Sequence, residues 1–404
     1  MDNRIAWTAN TMRKASGART SLFGAREAEA ARSFHRSFPQ YDETPLRSLA
    51  ALAGRLGIAG IFVKDESFRF GLNAFKVLGA SYAVAKHLSS RLRIDLSELD
   101  YTRLVSPELR RKLGEITFVA ATDGNHGRGV AWTARQLQQA AVIYMSKGTA
   151  SARLENIRAE GALASIIEGN YDDAVRLAAE NARSRGWVQV QDTAWDGYRE
   201  IPTWIMQGYG TMAAEAMEQL HSLGVEKPTH VFLQAGVGSF AAAIQGYFVE
   251  VFGGERPTTI IVEPHEANCF YRSAAASDGR PRAVRGEMAT IMAGLACGEP
   301  SPPAWELLRD YSEMFFSCPD WVAANGMRLL GNPLAEDPRI ISGESGAVTA
   351  GLLAALLTAD SLRDARAALR LGRNSRVLLF STEGATAPEN YRRIVWNGAY
   401  PAEE

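Results

Sequence analysis

Short runs of apolar, often β-branched residues alternate along this chain with longer stretches whose apolar positions recur at helical spacing. The runs predict strands at 116–121, 141–145, 163–167, 187–190, 230–234, 259–263 and 377–380. The longer stretches predict helices at 130–139, 150–160, 171–185, 203–220, 240–252, 303–310, 321–330 and 346–358. Such alternation is typical of βαβ units, whose parallel sheets are buried on both faces. The predicted fold class is α/β, with two doubly wound domains built on parallel sheets.

The length of the chain sets the number of domains. Its 404 residues exceed the usual size of one compact domain, so we expect two. Residues 88–114 are charged and helix-prone, and they interrupt the alternation. We therefore predict a large domain from residues 1–88 and 200–404, and a smaller α/β domain from residues 89–199. The first 20 residues or so are predicted to be poorly ordered.

Composition and charge narrow the class of protein. Hydrophobic residues make up 46% and charged residues 22%, as in an ordinary globular protein. With 44 basic and 45 acidic residues the net charge is −1, which gives no field to attract nucleic acid or an anionic membrane. No apolar run approaches the ~20 residues that span a bilayer, and the first residues lack the order of a signal peptide. A cytoplasmic location is expected.

The cysteines and histidines predict neither a disulfide scaffold nor a metal site. Cys269, Cys297 and Cys318 form no CxxC pair, and the six histidines show no HxxxH spacing. Buried free thiols are the favoured interpretation. An approach of Cys269 to Cys297 stays open.

Lys76 is the first candidate for chemistry. It follows a predicted strand end and a polar turn, and it opens a helix rich in small residues. An amine at this junction can reach a ligand aldehyde, and apolar neighbours lower its pKa, as a Schiff-base lysine requires. Taken alone, a surface lysine at a helix start is the commoner interpretation. The nearby Lys64 is a poor rival, because Asp65 and Glu66 beside it would raise its pKa.

Gly236-Val237-Gly238-Ser239 forms a glycine loop between a predicted strand and a predicted helix. Backbone N–H groups in such a loop can point at an anion, and the helix N-terminus adds favourable potential. A tight turn without a ligand fits the pattern equally well. The loop lacks the lysine of a Walker motif and the third glycine of a dinucleotide fingerprint. A monophosphate is therefore the ligand that suits this loop best.

Two more polar loops follow predicted strands. One spans residues 122–129, where Asn125 offers an amide to a phenolic oxygen on a flat ring. The other carries Ser381 and Thr382, and either hydroxyl suits a ring nitrogen. Doubly wound sheets bind ligands at the carboxyl ends of their strands. An amine, an anion cradle, an amide and a hydroxyl together indicate pyridoxal 5′-phosphate.

Several segments resemble the fold-type II pyridoxal-phosphate enzymes, the superfamily of tryptophan synthase β and threonine dehydratase. The similarity extends over nearly the whole chain, and it is closest to the branch that eliminates ammonia from 2,3-diaminopropionate. The segments that carry it are Phe75–Ala80, Ala121–Trp132, Val190–Trp195, Ile201–Tyr209, Ile291–Pro300 and Ser342–Ala347. The resemblance implies an active site in an interdomain cleft and a homodimer.

The resemblance also implies a reaction and a set of roles. The substrate would be D- or L-2,3-diaminopropionate, converted to pyruvate and two ammonia. Lys76 would take the Cα proton of the L-isomer and Asp123 that of the D-isomer, while Asp192 would position or protonate the leaving amine. Common dehydratases carry a small residue at position 123, so Asp123 marks a departure suited to a second ammonium group. Substrate-lining roles fall to His126, Glu344 and Ser345.

Other interpretations stay open at this point. A serine or threonine dehydratase of the same superfamily would release one ammonia per pyruvate, where 2,3-diaminopropionate gives two. A protein that binds pyridoxal phosphate without turnover would lack elimination altogether. A Rossmann oxidoreductase is disfavoured by the missing dinucleotide fingerprint.

Overall fold

The computed structural model describes residues 3–122 and 124–402, which fall into two compact units. The large unit comprises residues 3–25, 43–68 and 212–402. The small unit comprises residues 26–42 and 69–211. Each unit is built on its own β-sheet.

The sheet of the large unit has seven strands. They are β1 (Ala6–Ala9), β2 (Leu46–Ser48), β3 (Gly60–Asp65), β8 (His230–Gln234), β9 (Thr258–Pro264), β10 (Met314–Cys318) and β11 (Arg376–Ser381). Their order is β1-β10-β9-β8-β11-β3-β2. The edge strands β1 and β2 run antiparallel to their neighbours, and the central strands are parallel.

The sheet of the small unit has four strands, all parallel, in the order β6-β5-β4-β7. They are β4 (Thr117–Thr122), β5 (Ala140–Met145), β6 (Leu163–Ile166) and β7 (Val188–Gln189). The buried residues Val119 and Ala121 of β4 pack with Val142 of β5. They also pack with Ala174 and Ala178, which lie in the helix between β6 and β7.

Helices connect the strands. They are α1 (Ala25–Arg36), α2 (Ala50–Leu56), α3 (Val77–Leu92), α4 (Tyr101–Leu104), α5 (Pro107–Leu113), α6 (Asn125–Gln136), α7 (Ser151–Ala159), α8 (Tyr171–Arg185), α9 (Glu200–Ser222), α10 (Ser239–Phe252), α11 (Cys269–Ala276), α12 (Pro302–Tyr311), α13 (Asp320–Gly331), α14 (Glu344–Thr358), α15 (Arg363–Ala368) and α16 (Pro388–Val395). In the described part of the chain no single helix is long and apolar enough to cross a membrane. One pair of helices, Glu344–Thr358 and Asp360–Ala368, has the required length and composition when the two are counted together, but it is bent by 95°.

The core of the large unit explains why α14 is held firmly. Helices α13 and α14 meet backbone to backbone, because a Cβ on Gly326 would lie 2.0 Å from the Ala347 carbonyl oxygen. A Cβ on Gly351 would lie 1.9 Å from the Val322 carbonyl oxygen. Only glycine permits this approach. The packing fixes the N-terminus of α14, which carries two of the candidate site residues.

The α/β class and the predicted alternation of strands and helices are confirmed by this architecture. Three strands were not predicted: β1, β2 and β10. The expectation of a poorly ordered start was wrong in part, because β1 pairs with β10 in the sheet. The predicted parallel sheets are present, and in addition the two edge strands of the large sheet run antiparallel to their neighbours.

The division into units differs from the predicted domain boundaries. Residues 26–42, 69–88 and 200–211 group with the small unit instead of the large one. The cause is close helix packing: a Cβ on Gly129 of α6 would lie 2.9 Å from the Val77 Cα of α3. Sequence pattern alone did not reveal that α3 packs on the small sheet.

Candidate active site

Lys76 lies immediately before α3 and points its amine at a carboxylate. Its Nζ donates to Oδ2 of Asp192 over 2.7 Å. The Lys76 side chain is 21% exposed, whereas that of Asp192 is 5% exposed. The pair therefore combines a reachable amine with a buried counterion, within the small unit.

The ionisation of Asp192 is set by two opposing effects. Burial raises the pKa of the carboxyl. The charge of Lys76, then that of His126 and the Lys76 hydrogen bond, together outweigh burial and lower the pKa to about 2. Asp192 is therefore a carboxylate at neutral pH as long as a cation faces it. Its position suits a partner for ammonium groups.

The loop that carries Asp192 is anchored by its neighbour Gln191. The Gln191 side-chain amide accepts from the Ala121 N–H and donates to the Ala121 carbonyl, both over 3.0 Å. Gln191 thereby hydrogen-bonds to the backbone of β4 as a neighbouring strand would. The Gln191 N–H donates to the Tyr198 hydroxyl over 2.9 Å, and that hydroxyl donates to the Gln189 carbonyl over 2.8 Å. These hydrogen bonds hold the backbone next to Asp192 in place.

The loop after β4 contributes His126 and Asn125, which open α6. His126 is buried, and its Nε2 lies 2.8 Å from the Val190 carbonyl oxygen. A carbonyl only accepts, so Nε2 carries the proton and Nδ1 faces Asp192 Oδ2 at 4.0 Å. Asp123 falls outside the described residues.

Tyr209 of α9 lies near Lys76, and it was not predicted as a site residue. Its ring is 4.8 Å from that of Phe75, and a Cβ on Gly79 would lie 2.9 Å from its Cζ. Burial raises the pKa of Tyr209, and the nearby Lys76 and Asp192 charges act on it in opposite directions. Among the described residues its hydroxyl has no hydrogen-bond partner.

The glycine loop Gly236–Ser239 lies in the large unit, between β8 and α10. Gly238 has φ +89°, and a Cβ there would lie 2.3 Å from the Phe270 ring. A Cβ on Gly236 would lie 3.2 Å from both Cys297 Sγ and the Gly294 carbonyl oxygen. A larger side chain is excluded at Gly238, and at Gly236 it would require the neighbouring atoms to shift slightly. The loop leads directly into the start of α10, whose N-terminus favours an anion.

Ser381 is the last residue of β11, the neighbour of β8 in the sheet, and Thr382 follows it. The Ser381 hydroxyl donates to Ser342 Oγ over 2.9 Å. Thr382 Oγ1 accepts from Nε2 of Gln234 over 2.9 Å. Both hydroxyls therefore lie at the carboxyl edge of the sheet, as does the glycine loop.

Glu344 and Ser345 form the first residues of α14 and are buried. Oε1 of Glu344 accepts from Nδ2 of Asn390 over 2.6 Å. Ser345 Oγ lies 3.0 Å from the position of a Cβ on Gly294. Gly294 also borders the glycine loop, so Ser345 belongs to the surroundings of that loop.

Lys64 does not have the character of a reactive amine. It is fully buried, and its Nζ lies 2.6 Å from Glu215 Oε2. It also donates to the Thr44 carbonyl and to Gln219 Oε1. Glu215, which lies far along the chain, is a partner that the sequence argument did not include.

The cysteines are free thiols in the structure. Cys269 and Cys318 are buried, and Cys297 is half-buried beside the glycine loop. Burial raises the pKa of Cys269 well above its usual range, and the Glu263 and Cys297 charges add to the effect. Within residues 3–122 and 124–402, no cluster of histidine, cysteine and acidic side chains could hold a metal ion.

The residues present fit pyridoxal phosphate. A reachable amine suits its aldehyde, and a glycine loop at the start of a helix suits its phosphate. Hydroxyls at the end of β11 suit its ring nitrogen. These groups are the ones that the sequence predicted, whereas Gln191, Gln234 and Tyr209 were not singled out. Their only signal was position, since Gln191 and Gln234 lie at or just after strand ends.

Comparison with known proteins defines the class. Residues 38–382 match the family of pyridoxal-phosphate dependent enzymes, and the chain belongs to that family. Diaminopropionate ammonia-lyase of Salmonella typhimurium is 52% identical over 401 residues, which is 98% of this chain and 99% of the relative. The corresponding protein of Escherichia coli is 50% identical over 95% of each chain.

Solved structures agree with this assignment. The Escherichia coli diaminopropionate ammonia-lyase in complex with D-serine matches with a TM-score of 0.92 and 48% identity, over 99% of each chain. The same enzyme with an aminoacrylate-PLP azomethine reaction intermediate matches with a TM-score of 0.91 and 47% identity, over 100% of this chain and 99% of that one. The chain is thus similar to these lyases over its full length.

Proposed function

We propose that the protein, with pyridoxal phosphate held on Lys76, catalyses the α,β-elimination of one ammonia from 2,3-diaminopropionate. Hydrolysis of the eliminated product by one water then gives pyruvate and the second ammonia. One observation carries the proposal: a partly exposed lysine amine lies 2.7 Å from a buried carboxylate, in a chain 52% identical to a diaminopropionate ammonia-lyase. Together they supply a site for a carbonyl cofactor and for a second ammonium group. The substrate is accordingly a small amino acid.

We assign the cofactor contacts as follows. Lys76 would hold the aldehyde carbon, and Gly236–Ser239 would hold the phosphate. Asn125 would bind the phenolic oxygen. Thr382 is preferred over Ser381 for the ring nitrogen, because the Ser381 hydroxyl already donates to Ser342. When bound, the cofactor supplies an electron sink for the pair released at Cα.

Proton movements fall to the chain's own side chains. Nζ of Lys76 takes the Cα proton of the L-isomer. A carboxylate of Asp123 takes that of the D-isomer. These two bases serve substrates whose Cα protons point to opposite sides.

Asp192 holds the substrate's β-ammonium group. The positive charge of Lys76 already lowers the pKa of Asp192, and a substrate ammonium acts in the same direction, so Asp192 stays ionised and is a poor proton donor. The β-ammonium needs no further proton, because it leaves as ammonia when the carbon–nitrogen bond breaks and nitrogen keeps the electron pair. Asp192 therefore keeps the leaving amine in its protonated form. Of the two roles predicted for Asp192, positioning the amine is favoured over protonating it. His126 orients Asp192, and Glu344 and Ser345 border the substrate.

Product stoichiometry tests this function. Purified protein loaded with pyridoxal phosphate is given D- and L-2,3-diaminopropionate, D- and L-serine, and L-threonine in separate reactions. Two ammonia per pyruvate from 2,3-diaminopropionate, at a kcat/KM above that for serine, is the expected result. A higher kcat/KM with serine or threonine would reassign the protein as a dehydratase. No pyruvate from any substrate would identify a binding protein without turnover.

We further propose that the enzyme works as a homodimer in the cytoplasm. The family resemblance supports the dimer, and the balanced charge of 44 basic and 45 acidic residues gives no reason for a nucleic-acid or membrane partner. Sedimentation velocity of the holoprotein should give twice the chain mass of 43.9 kDa. Cell fractionation tests the compartment.

A further inference from the structure

Gln234 is the last residue of β8, and its buried amide reaches across to the end of β11. Its Nε2 lies 2.9 Å from the Phe380 carbonyl oxygen and 2.9 Å from Thr382 Oγ1. A carbonyl can only accept a hydrogen bond, so the atom facing Phe380 must be the NH₂ nitrogen. The orientation of this amide is therefore fixed by chemistry.

That orientation also fixes the Thr382 hydroxyl. One hydrogen of the NH₂ group goes to Phe380, and the other goes to Thr382 Oγ1. Thr382 thus accepts from Gln234 and cannot direct its own proton back at the amide. Among the described residues, the Thr382 hydroxyl has no other hydrogen-bond partner. Its proton must point away from Gln234, toward whatever else faces it.

Ser381, the adjacent hydroxyl, is in a different state. It donates to Ser342 Oγ over 2.9 Å, so its proton is already engaged inside the protein. It also lies 3.4 Å from the Glu383 carbonyl oxygen, a second acceptor. Of the two hydroxyls at this strand end, only Thr382 is set up as an outward donor.

We infer that Gln234 is a positioning residue that makes Thr382 an obligatory hydrogen-bond donor and thereby keeps the cofactor's pyridine nitrogen unprotonated. The inference rests on the proposed assignment of Thr382 to that nitrogen. A donated O–H needs the nitrogen lone pair, whereas a protonated nitrogen would set two hydrogens against each other. An unprotonated ring withdraws electrons less strongly, which favours prompt loss of the β-amine over a long-lived carbanion.

A single substitution reverses the hydrogen-bond direction. In Gln234→Glu, a neutral carboxyl donates to Phe380 and accepts from Thr382, and an ionised carboxyl accepts from Thr382 as well. The hydroxyl lone pairs then face the ring, where they can accept from a protonated nitrogen. Gln245→Glu is the matched control, because Gln245 is equally buried in the same unit and pairs with Ser312, away from β11.

The measurement is the ¹⁵N chemical shift of ring-labelled pyridoxal phosphate bound to wild type, Gln234→Glu and Gln245→Glu. We expect a shift typical of an unprotonated, hydrogen-bonded pyridine in wild type and in the control. In Gln234→Glu the shift should move to the pyridinium range. A folded Gln234→Glu protein with the wild-type shift, or a wild type already in the pyridinium range, would overturn the inference.

A second variant decides the case where Gln234→Glu does not fold. Gln234→Met keeps the size and removes the amide, so Thr382 can turn toward Phe380 instead. Its ¹⁵N shift should move toward that of a pyridine without a hydrogen bond. An unchanged shift would contradict the role of Gln234.

Turnover separates this inference from the proposed function. Wild type that makes pyruvate from 2,3-diaminopropionate, with no ¹⁵N change in the Gln234 variants, refutes the inference alone. Wild type without turnover, but with the expected ¹⁵N changes, refutes the proposed function and supports the inference.

Discussion

Two lysine–carboxylate pairs of almost equal length lie in the two units of this protein. In the large unit Lys64 Nζ is 2.6 Å from Glu215, and both side chains are 0% exposed. In the small unit Lys76 Nζ is 2.7 Å from Asp192, and Lys76 is 21% exposed. Distance alone does not distinguish a structural pair from a reactive one.

The surroundings of the two amines differ in a way that decides their chemistry. Lys64 also donates to Thr44 and Gln219, so its three hydrogens have partners inside the protein. Lys76 is reachable from solvent and lies beside the carboxylate of Asp192. A covalent cofactor needs an amine that a ligand can approach and that can lose its proton. The difference therefore supports a structural role for Lys64 and the proposed role of Lys76 as the cofactor lysine.

The largest expected effect is that of removing the reactive amine. Lys76→Ala should lower kcat for both isomers by roughly 10⁴-fold or more, because the covalent attachment and one base are lost together. Steady-state pyruvate formation measures it. Lys76→Arg is the control, since it keeps a cation beside Asp192 but cannot bond the cofactor, and it should be equally inactive. Activity near the wild-type level in either variant would disprove the assignment of Lys76.

The counterpart experiment removes the structural amine. Lys64→Met leaves Glu215 buried without its cation and should lower the free energy of unfolding by about 3–5 kcal/mol. The folded fraction should keep its kcat. Chemical denaturation and active-site titration measure the two quantities. The double variant Lys64→Met with Glu215→Leu should recover most of the stability, and a large loss of kcat without loss of stability would reverse the comparison.

Substrate stereochemistry sharpens the role of Lys76 further. Asp123→Asn should lower kcat/KM for D-2,3-diaminopropionate by about 10²-fold, the scale of a lost general base, and that for the L-isomer by much less. The reason is that Lys76 remains as the base for the L-isomer. Paired assays with the two isomers measure the ratio. Equal losses would show that one base serves both.

The smallest effect concerns the pH dependence of stability in the cofactor-free protein. The pKa of Asp192 is about 2, below its ordinary value near 3.9, so its contribution is complete above that ordinary value and is lost as pH falls toward 2. In Lys76→Met burial dominates and the pKa should rise, so the variant loses stability as pH increases instead. Thermal midpoints at pH 4 to 7 should fall further behind wild type with increasing pH. A constant gap would mean that Lys76 does not set the ionisation of Asp192.

Some of the site was predictable because its signals are local. The predicted site residues lie at or after strand ends, and two of the three groups lead into a helix. These groups are Lys76, the loop Gly236–Ser239, and the hydroxyls of Ser381 and Thr382. The sequence argument on Lys64 used only the adjacent Asp65 and Glu66, and it did not foresee Glu215, which lies far along the chain and contacts the amine.

Local sequence patterns specify the α/β class, the order of the elements and the chemical types present, since apolar periodicity and turn residues act over short distances. Tertiary structure alone decided which groups meet. Lys76 and Asp192 are 116 positions apart, and only the packing of α3 and the Gln191 anchor bring them together. The proposed preference for Thr382 over Ser381 likewise depends on distant residues, since Ser381 donates to Ser342, 39 residues earlier, and Thr382 accepts from Gln234, 148 residues earlier.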